Sequence, residues 1–308
     1  MNDVAAIMTT TSMTKLPGYV SAEGIDAPSA GHYGDPLREQ RNLVRGAGLV
    51  DRSSRGLVVV SGADRLSWLH SLSSQHVSEL ADGDSIEGLI LSPHGHIEHD
   101  LWFTEFEGKT WIDCEPGTSA ALSTYLESMR FMLRVEVADR SADFAQLTVA
   151  GPDALRIIGS LLHAVPATGS ITAYSGGFVR TMPWSDEFDI VVPLDSSAVV
   201  IDALLSAGAI PVGLMAYEAL RVEAMRPRLG YETDHRTIPH EVGLLQSAVH
   251  LNKGCYRGQE TVARVHNLGR PPRRLVRLHL DGSLHTLPEP GSAVALAGRV
   301  VGFLGTAA

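Results

Sequence analysis

Two stretches of this chain, 89 residues apart, carry one pattern. "LVVVSGADRLSWLHSL" (57–72) and "LTVAGPDALRIIGSL" (147–161) align without gaps, and Val60/Val149, Gly62/Gly151, Asp64/Asp153, Leu66/Leu155, Ser71/Ser160 and Leu72/Leu161 coincide. Each reads as a β-rich strand, a glycine turn and an amphipathic helix. Leu66, Leu69 and Leu72 recur at helical spacing in the first copy, and Leu155, Ile158 and Leu161 do so in the second. Asp64 and Asp153 stand where a carboxylate caps or complements a helix N-terminus, and Pro152 suits a first turn. Short matches also arise between unrelated strand–turn–helix units; as a true repeat, this one predicts two related α/β lobes.

Around the two copies the alternation of apolar and β-branched residues predicts strands at 85–92, 97–106, 109–115, 134–140 and 187–194. Their pattern favours a mixed or antiparallel sheet over a doubly wound one. Helices are predicted at 118–130, 196–207 and 213–225, and the polar segment 230–243 reads as loop. Beyond "LGRPPRR" (268–274), "LVRLHLDGS" and "AVALAGRVVGFLGT" alternate with turns and predict a small all-β domain. A barrel needs its edges paired, and the sequence stops at Ala308 directly after a strand-like run, which implies a truncated or shortened last domain.

Composition narrows the class. A chain of 308 residues suits two or three lobes sharing an interface, and 44% hydrophobic with 19% charged residues fits a packed globular protein. No apolar run is long enough to span a bilayer. The first thirty residues lack the basic start and apolar core of a secretory signal and read as a flexible leader. Cys114 and Cys255 are the two cysteines, so a disulfide framework is excluded, a reducing cytoplasm is the expected setting, and a permanently bound iron–sulfur cluster has too few ligands. The net charge of −10 argues against stable nucleic-acid binding. Between Lys253 and Arg277, however, seven basic residues face one acid, a local patch suited to a small anionic ligand.

Three stretches carry candidate chemistry. In "LNKGCYRGQETVAR" (251–264), Lys253 and Arg257 flank Cys255 and favour a thiolate, while Gly254 and Gly258 let the backbone approach a partner. A packed cysteine in an ordinary turn fits the same residues. In "SPHGHIEHDL" (92–101), Pro93–His96 forms the turn of a hairpin, with His94, His96, Glu98 and Asp100 on one strand face and His99 on the other. No third imidazole at diagnostic spacing completes a metal site. Asp100, beside Leu101, Trp102 and Phe103, is a candidate buried acid or base. In "GLMAYEALRVEAMRPRLGYE" (213–232), Glu218 and Arg221 are i, i+3 helix neighbours that suit a surface pair, and Glu223 lies near the helix end. A carboxylate there can accept two hydrogen bonds from a 2-aminopyrimidinone edge, as a pterin presents, or be simply solvated.

The string Lys253-Gly254-Cys255-Tyr256-Arg257-Gly258-Gln259-Glu260 resembles the K-G-C-Y-x-G-Q-E signature of the YgfZ family of folate-binding proteins, relatives of the T-protein (aminomethyltransferase) of the glycine cleavage system. "GHYGDPLREQRNLVRGAGLVDRSSRG…" resembles the T-protein opening, and residues 213–244 resemble its "G-x-x-A-x-x-x-L-R-x-E-A-x-x-P" helix with the loop that follows. The resemblance implies an α+β, three-domain ring with two related α/β lobes and a C-terminal β-barrel. Its parts would be a leader (1–30), lobes at 31–140 and 141–250, and a signature loop with a β domain at 251–308. It implies tetrahydrofolate or a derivative in a central channel, with Glu223 on the pterin and Lys253, Tyr256, Arg257 and Gln259 as further cofactor-binding residues. Asp100 matches the second aspartate of the T-protein's G-G-x-x-D-D-L segment, whose first aspartate is His99 here and whose second glycine is His96. The T-protein carries an acid at the place of Cys255. These departures favour the YgfZ branch: a folate-binding accessory protein of iron–sulfur cluster assembly or repair. Its partners would be iron–sulfur enzymes or assembly proteins, it would indirectly support tRNA modification, and Cys255 would be its reactive thiol. The alternative is a tetrahydrofolate-dependent aminomethyl or methyl transferase with Asp100 as base.

Overall fold

The computed structural model describes residues 10–184, 186–282 and 286–308. In chain order its elements are β1 (Val20–Ser21), β2 (Ala30–His32), α1 (Pro36–Arg45), β3 (Gly48–Asp51), β4 (Gly56–Ser61), α2 (Arg65–Leu72), β5 (Ser85–Leu91), β6 (Ile97–Phe106), β7 (Lys109–Cys114), α3 (Ser119–Ser128) and β8 (Glu136–Asp139). There follow β9 (Phe144–Ala150), α4 (Ala154–Leu161), β10 (Ile171–Tyr174), β11 (Gly177–Thr181), β12 (Glu187–Pro193), α5 (Ser197–Ser206), β13 (Ile210–Pro211) and α6 (Leu214–Glu223). The last elements are α7 (Leu245–Ala248), α8 (Gln259–Leu268), β14 (Ala293–Leu296) and β15 (Arg299–Phe303).

The repeat read in the sequence is a repeat of topology. One sheet has the order β5-β6-β7-β4-β8, the other β10-β11-β12-β9-β3-β13. Each copy of the motif supplies an inner strand, β4 or β9, then a helix, then a three-stranded meander whose last strand pairs back antiparallel onto the first. The duplicated glycine has a physical cause. Gly62 (φ +110°) and Gly151 (φ +114°) make the same left-handed turn into the helix, and a Cβ on either would fall within 2.4 Å of a backbone carbonyl oxygen, Arg134 O or Leu43 O. The paired aspartates differ: Asp153 makes no side-chain cap, and Asp64 clamps Arg134 through its backbone N–H (2.8 Å) and guanidinium (2.6 Å).

Two compact units result. The first runs to Trp68 and takes in Val77–Ile86 and Leu101–Tyr217; the second is Leu69–His76, Glu87–Asp100 and Glu218–Ala308. In the first unit, α4 and α5 cover one face of the six-stranded sheet through Ile157, Ile158, Val200, Ile201 and Leu204. The opposite face meets the five-stranded sheet across Leu57, Val59, Phe106 and Trp111 from one side and Phe144, Phe178 and Val191 from the other. In the second unit, Leu89, Leu91 and Ile97 pack with Val242, Leu244, Val249, Tyr256 and Val262.

Two expectations are corrected. Residues 10–30 are not a flexible leader: Thr11 donates to Asp51 (2.6 Å) and Met13 is 1% exposed in the core, because a polar anchor and an apolar side chain sit at the start of one 3-10 turn. Residues 1–9 of that predicted leader lie outside the described residues. Among the described residues, no closed C-terminal barrel forms. The described residues after Leu268 yield one hairpin, β14–β15, and the alternating run 275–280 stays outside any ladder with Val276, Leu278 and Leu280 about half exposed. Period-two alternation states which side chains share a face, not whether a neighbouring strand is there to pair.

Candidate functional site

The signature loop is held in the second unit by inward anchors on either side of its cysteine. The Lys253 side chain is 7% exposed, and its ammonium donates to the backbone carbonyls of His70, Ser73 (2.6 Å) and Gln75 (2.9 Å). Tyr256 is 8% exposed in the apolar cluster, its phenol pushed up to about 12 by burial, and its ring lies 5.1 Å from the Lys253 ammonium. Between the two, Cys255 is exposed. Cys114, on β7, is buried, and burial pushes its thiol up to about 12.

After the cysteine the chain turns on Gly258 (φ +83°), which opens α8. A Cβ there would lie 2.6 Å from Ser92 O and 2.8 Å from Gly95 Cα, so two glycines bring the signature turn backbone-to-backbone against the β5–β6 hairpin turn. That hairpin turn is the one expected at Pro93–His96: Ser92 N–H donates to His96 O (2.8 Å) and Gly95 N–H to Ser92 O (2.9 Å). The contact places the Cys255 loop beside the histidine-bearing turn, and Arg257 pairs with Glu98 (2.8 Å) across it. Gln259 reaches back to Lys253 O at 3.5 Å, and its own N–H donates to Tyr256 O (3.2 Å). The flanking cations therefore have partners of their own: Lys253 holds carbonyls and Arg257 a carboxylate.

The remaining candidates lie on β6 and at the end of α6. Burial alternates from Ile97 to Asp100, the turn end of β6, as the sequence implied, and the rest of the strand is buried throughout. His99 is 9% exposed and neutral, burial lowering its pKa to about 4, and Asp100 is half-buried. Among the described residues no group of three or more His, Cys, Asp or Glu has the arrangement of a metal site. Glu223 is the last residue of α6 and is exposed; Arg277 donates to its backbone oxygen (3.0 Å). Glu218 and Arg221, which suited a surface pair, are instead part of a buried network: Arg221 is 6% exposed and binds Glu218 (2.6 Å), Glu232 (2.9 Å) and the Thr306 hydroxyl. The basic patch is likewise partly neutralised, since Arg273 is clasped by Asp234 (2.6 Å) and Glu241 (2.9 Å) and holds the Asp234 carboxyl well below the usual carboxylate range.

Sequence reasoning missed the partners of Lys253. Ser74 and Gln75 tie 73–76 to 247–250 through Ser74 Oγ to Ala248 O (2.6 Å), His250 N–H to Ser74 O (2.9 Å) and Gln75 Nε2 to Ser247 O (2.9 Å). The visible signal was the polar run "SSQ" just past the helix of the first repeat, a place where unsatisfied helix-end carbonyls need donors.

The model of one protein family, described as the GCVT N-terminal domain, matches residues 6–253. The chain belongs to that family. Relatives include an aminomethyltransferase of Symbiobacterium thermophilum, 29% identical over 89% of this chain and 78% of the relative. A chloroplastic putative transferase of Arabidopsis thaliana is 30% identical over 84% of this chain and 61% of its own length. The fold is that of the solved glycine cleavage system aminomethyltransferase T from Bartonella henselae, with a TM-score of 0.74 at 20% identity, covering 83% of this chain and 73% of that one.

Proposed function

We propose that this chain binds a reduced folate, tetrahydrofolate or a one-carbon derivative, and acts on its one-carbon unit as proteins of the aminomethyltransferase type do. The observation that carries this reading is membership of the GCVT N-terminal domain family over residues 6–253, with relatives named aminomethyltransferase. In this reading half-buried Asp100 on β6 would act as base, and exposed Glu223 at the end of α6 would accept the pterin edge. Titration of the purified protein with tetrahydrofolate tests the pocket: Glu223→Ala should weaken binding by about tenfold or more, the loss of a charge-assisted hydrogen-bond pair, and equal affinity removes Glu223 from it. Turnover of an aminomethyl or methyl donor, lost in Asp100→Asn, supports the transferase; a folate-binding protein with no turnover of such donors sinks it.

A second reading has one observation in its favour. Cys255 is exposed in a loop that resembles the YgfZ signature, at the place where the T-protein carries an acid. There the protein would be a folate-binding accessory of iron–sulfur cluster assembly or repair, with Cys255 as nucleophile, redox thiol or transient cluster ligand, and Lys253, Tyr256, Arg257 and Gln259 shaping its surroundings. Cells carrying Cys255→Ala should lose cluster-dependent enzyme activity, tRNA-modifying activity included, while folate binding persists. Unchanged activity in those cells ends this reading.

A further inference from the structure

Only three of the chain's 25 basic residues are lysines: Lys15, Lys109 and Lys253. Lys15 and Lys109 are exposed, and Lys253 is buried. An ammonium carries three donors, and Lys253 aims them at the carbonyls of His70, Ser73 and Gln75. His70 lies in the last turn of α2, where carbonyls have no helical partner: the N–H of Ser74, four residues on, donates instead to Leu89 O (2.8 Å). A planar guanidinium fork cannot converge on three carbonyls from one point, which is a physical reason for lysine here in a chain that otherwise uses arginine.

We propose that Lys253 is a positioning residue, whose carbonyl-caged ammonium seats the Cys255 loop rather than activating the thiol through its charge. The inference rests on the reading above that this loop belongs to the functional site. The geometry gives the loop inward anchors at Lys253 and Tyr256, on either side of Gly254 and Cys255, so the cysteine is turned outward while its neighbours are fixed. The same seam is closed by Ser74, Gln75 and His250, and Gly258 locks the far end of the loop against the hairpin turn. Arg257, the other flanking cation, is engaged by Glu98.

Three measurements decide it. Cys255 alkylation is followed against pH in wild type, Lys253→Met and Lys253→Arg; buried Cys114 contributes little signal. Positioning predicts alkylation midpoints within about 0.3 pH unit of wild type in both variants, because the charge is not what sets the thiolate. It also predicts hydrogen exchange at 69–76 and 250–258 at least about tenfold faster in both. A midpoint raised by about one unit in Lys253→Met and restored in Lys253→Arg overturns the proposal, as do unchanged exchange rates. Should neither variant fold, reductive methylation of the native wild-type protein decides: Lys15 and Lys109 react and Lys253 is spared, and methylation of Lys253 at their rate overturns the cage. A parallel tetrahydrofolate titration keeps the two ideas apart, since failure of wild type to bind folate removes the proposed function and leaves the labelling and exchange results standing.

Discussion

Arg180 in the first unit and Lys253 in the second are both buried cations, and they are compensated in different ways. Arg180, on β11, is 1% exposed and pairs with Asp189 (2.7 Å), its cross-strand neighbour on β12, and with Asp113 (2.8 Å) on β7 of the other sheet. Its guanidinium lies over Trp102 at 4.8 Å, and Arg55 and Arg52 continue the chain of charges to Glu115 and Asp189. Among the described residues Lys253 pairs with no carboxylate; its ammonium meets carbonyl dipoles and the face of Tyr256. Full countercharge fixes one protonation state and ties two sheets in one register. Dipoles alone leave a net charge buried, and burial lowers the Lys253 amine to about 8, within reach of ordinary pH. The first arrangement belongs to the frame, the second to a loop that has to be held without being neutralised.

The largest effect should come from breaking the carboxylate-bound cation. Arg180→Met leaves Asp113 and Asp189 short of a partner in the interior and should cost about 3–5 kcal/mol in a denaturant titration. A cost near zero would mean that Arg52 and Arg55 take over the charge. The next test separates the two cations by pH. The folded amine of Lys253 loses its proton near pH 8 and the unfolded one near 10.5, so below pH 8 both states are protonated and above 10.5 neither is. Between those values the unfolded chain binds more protons, and wild-type stability should rise with pH relative to Lys253→Met. The difference between wild type and Arg180→Met should stay flat over the same range, because Arg180 is charged throughout. The smallest effect is expected at the half-exposed ion pair of Arg257 and Glu98, where Arg257→Ala should change stability by less than about 1 kcal/mol. A loss comparable to that of Arg180→Met would show that the loop is held there instead of at Lys253.

The frame was more legible in the sequence than the loop. The strand at 97–106 and the helices near 118–130, 196–207 and 213–225 follow from side-chain periodicity, a local property that survives in one dimension. The repeated glycine marked a turn that no other residue can make. The partners of Arg180 and Lys253 were not legible. Asp113 lies 67 residues from Arg180, and the carbonyls that hold Lys253 lie between 178 and 183 residues away from it. Backbone carbonyls, moreover, leave no trace in residue identity, and the polar run Ser73–Gln75 marked their neighbourhood without naming Lys253 as the donor. The barrel expectation failed for the converse reason: alternation at 275–280 was read as a pairing it does not make.

The place of β3 has a consequence for how the molecule can be cut. β3 precedes the first repeat in the chain yet lies inside the sheet of the second, antiparallel to β9 on one side and parallel to β13 on the other. The two halves are thus stitched by a donated strand, and a fragment beginning after residue 140 would carry a sheet with a slot where β3 belongs. Such a fragment should remain aggregation-prone until a peptide bearing Gly48–Asp51 fills the slot, which makes the break between β8 and β9 a natural place to build a split, reassembling version of the protein.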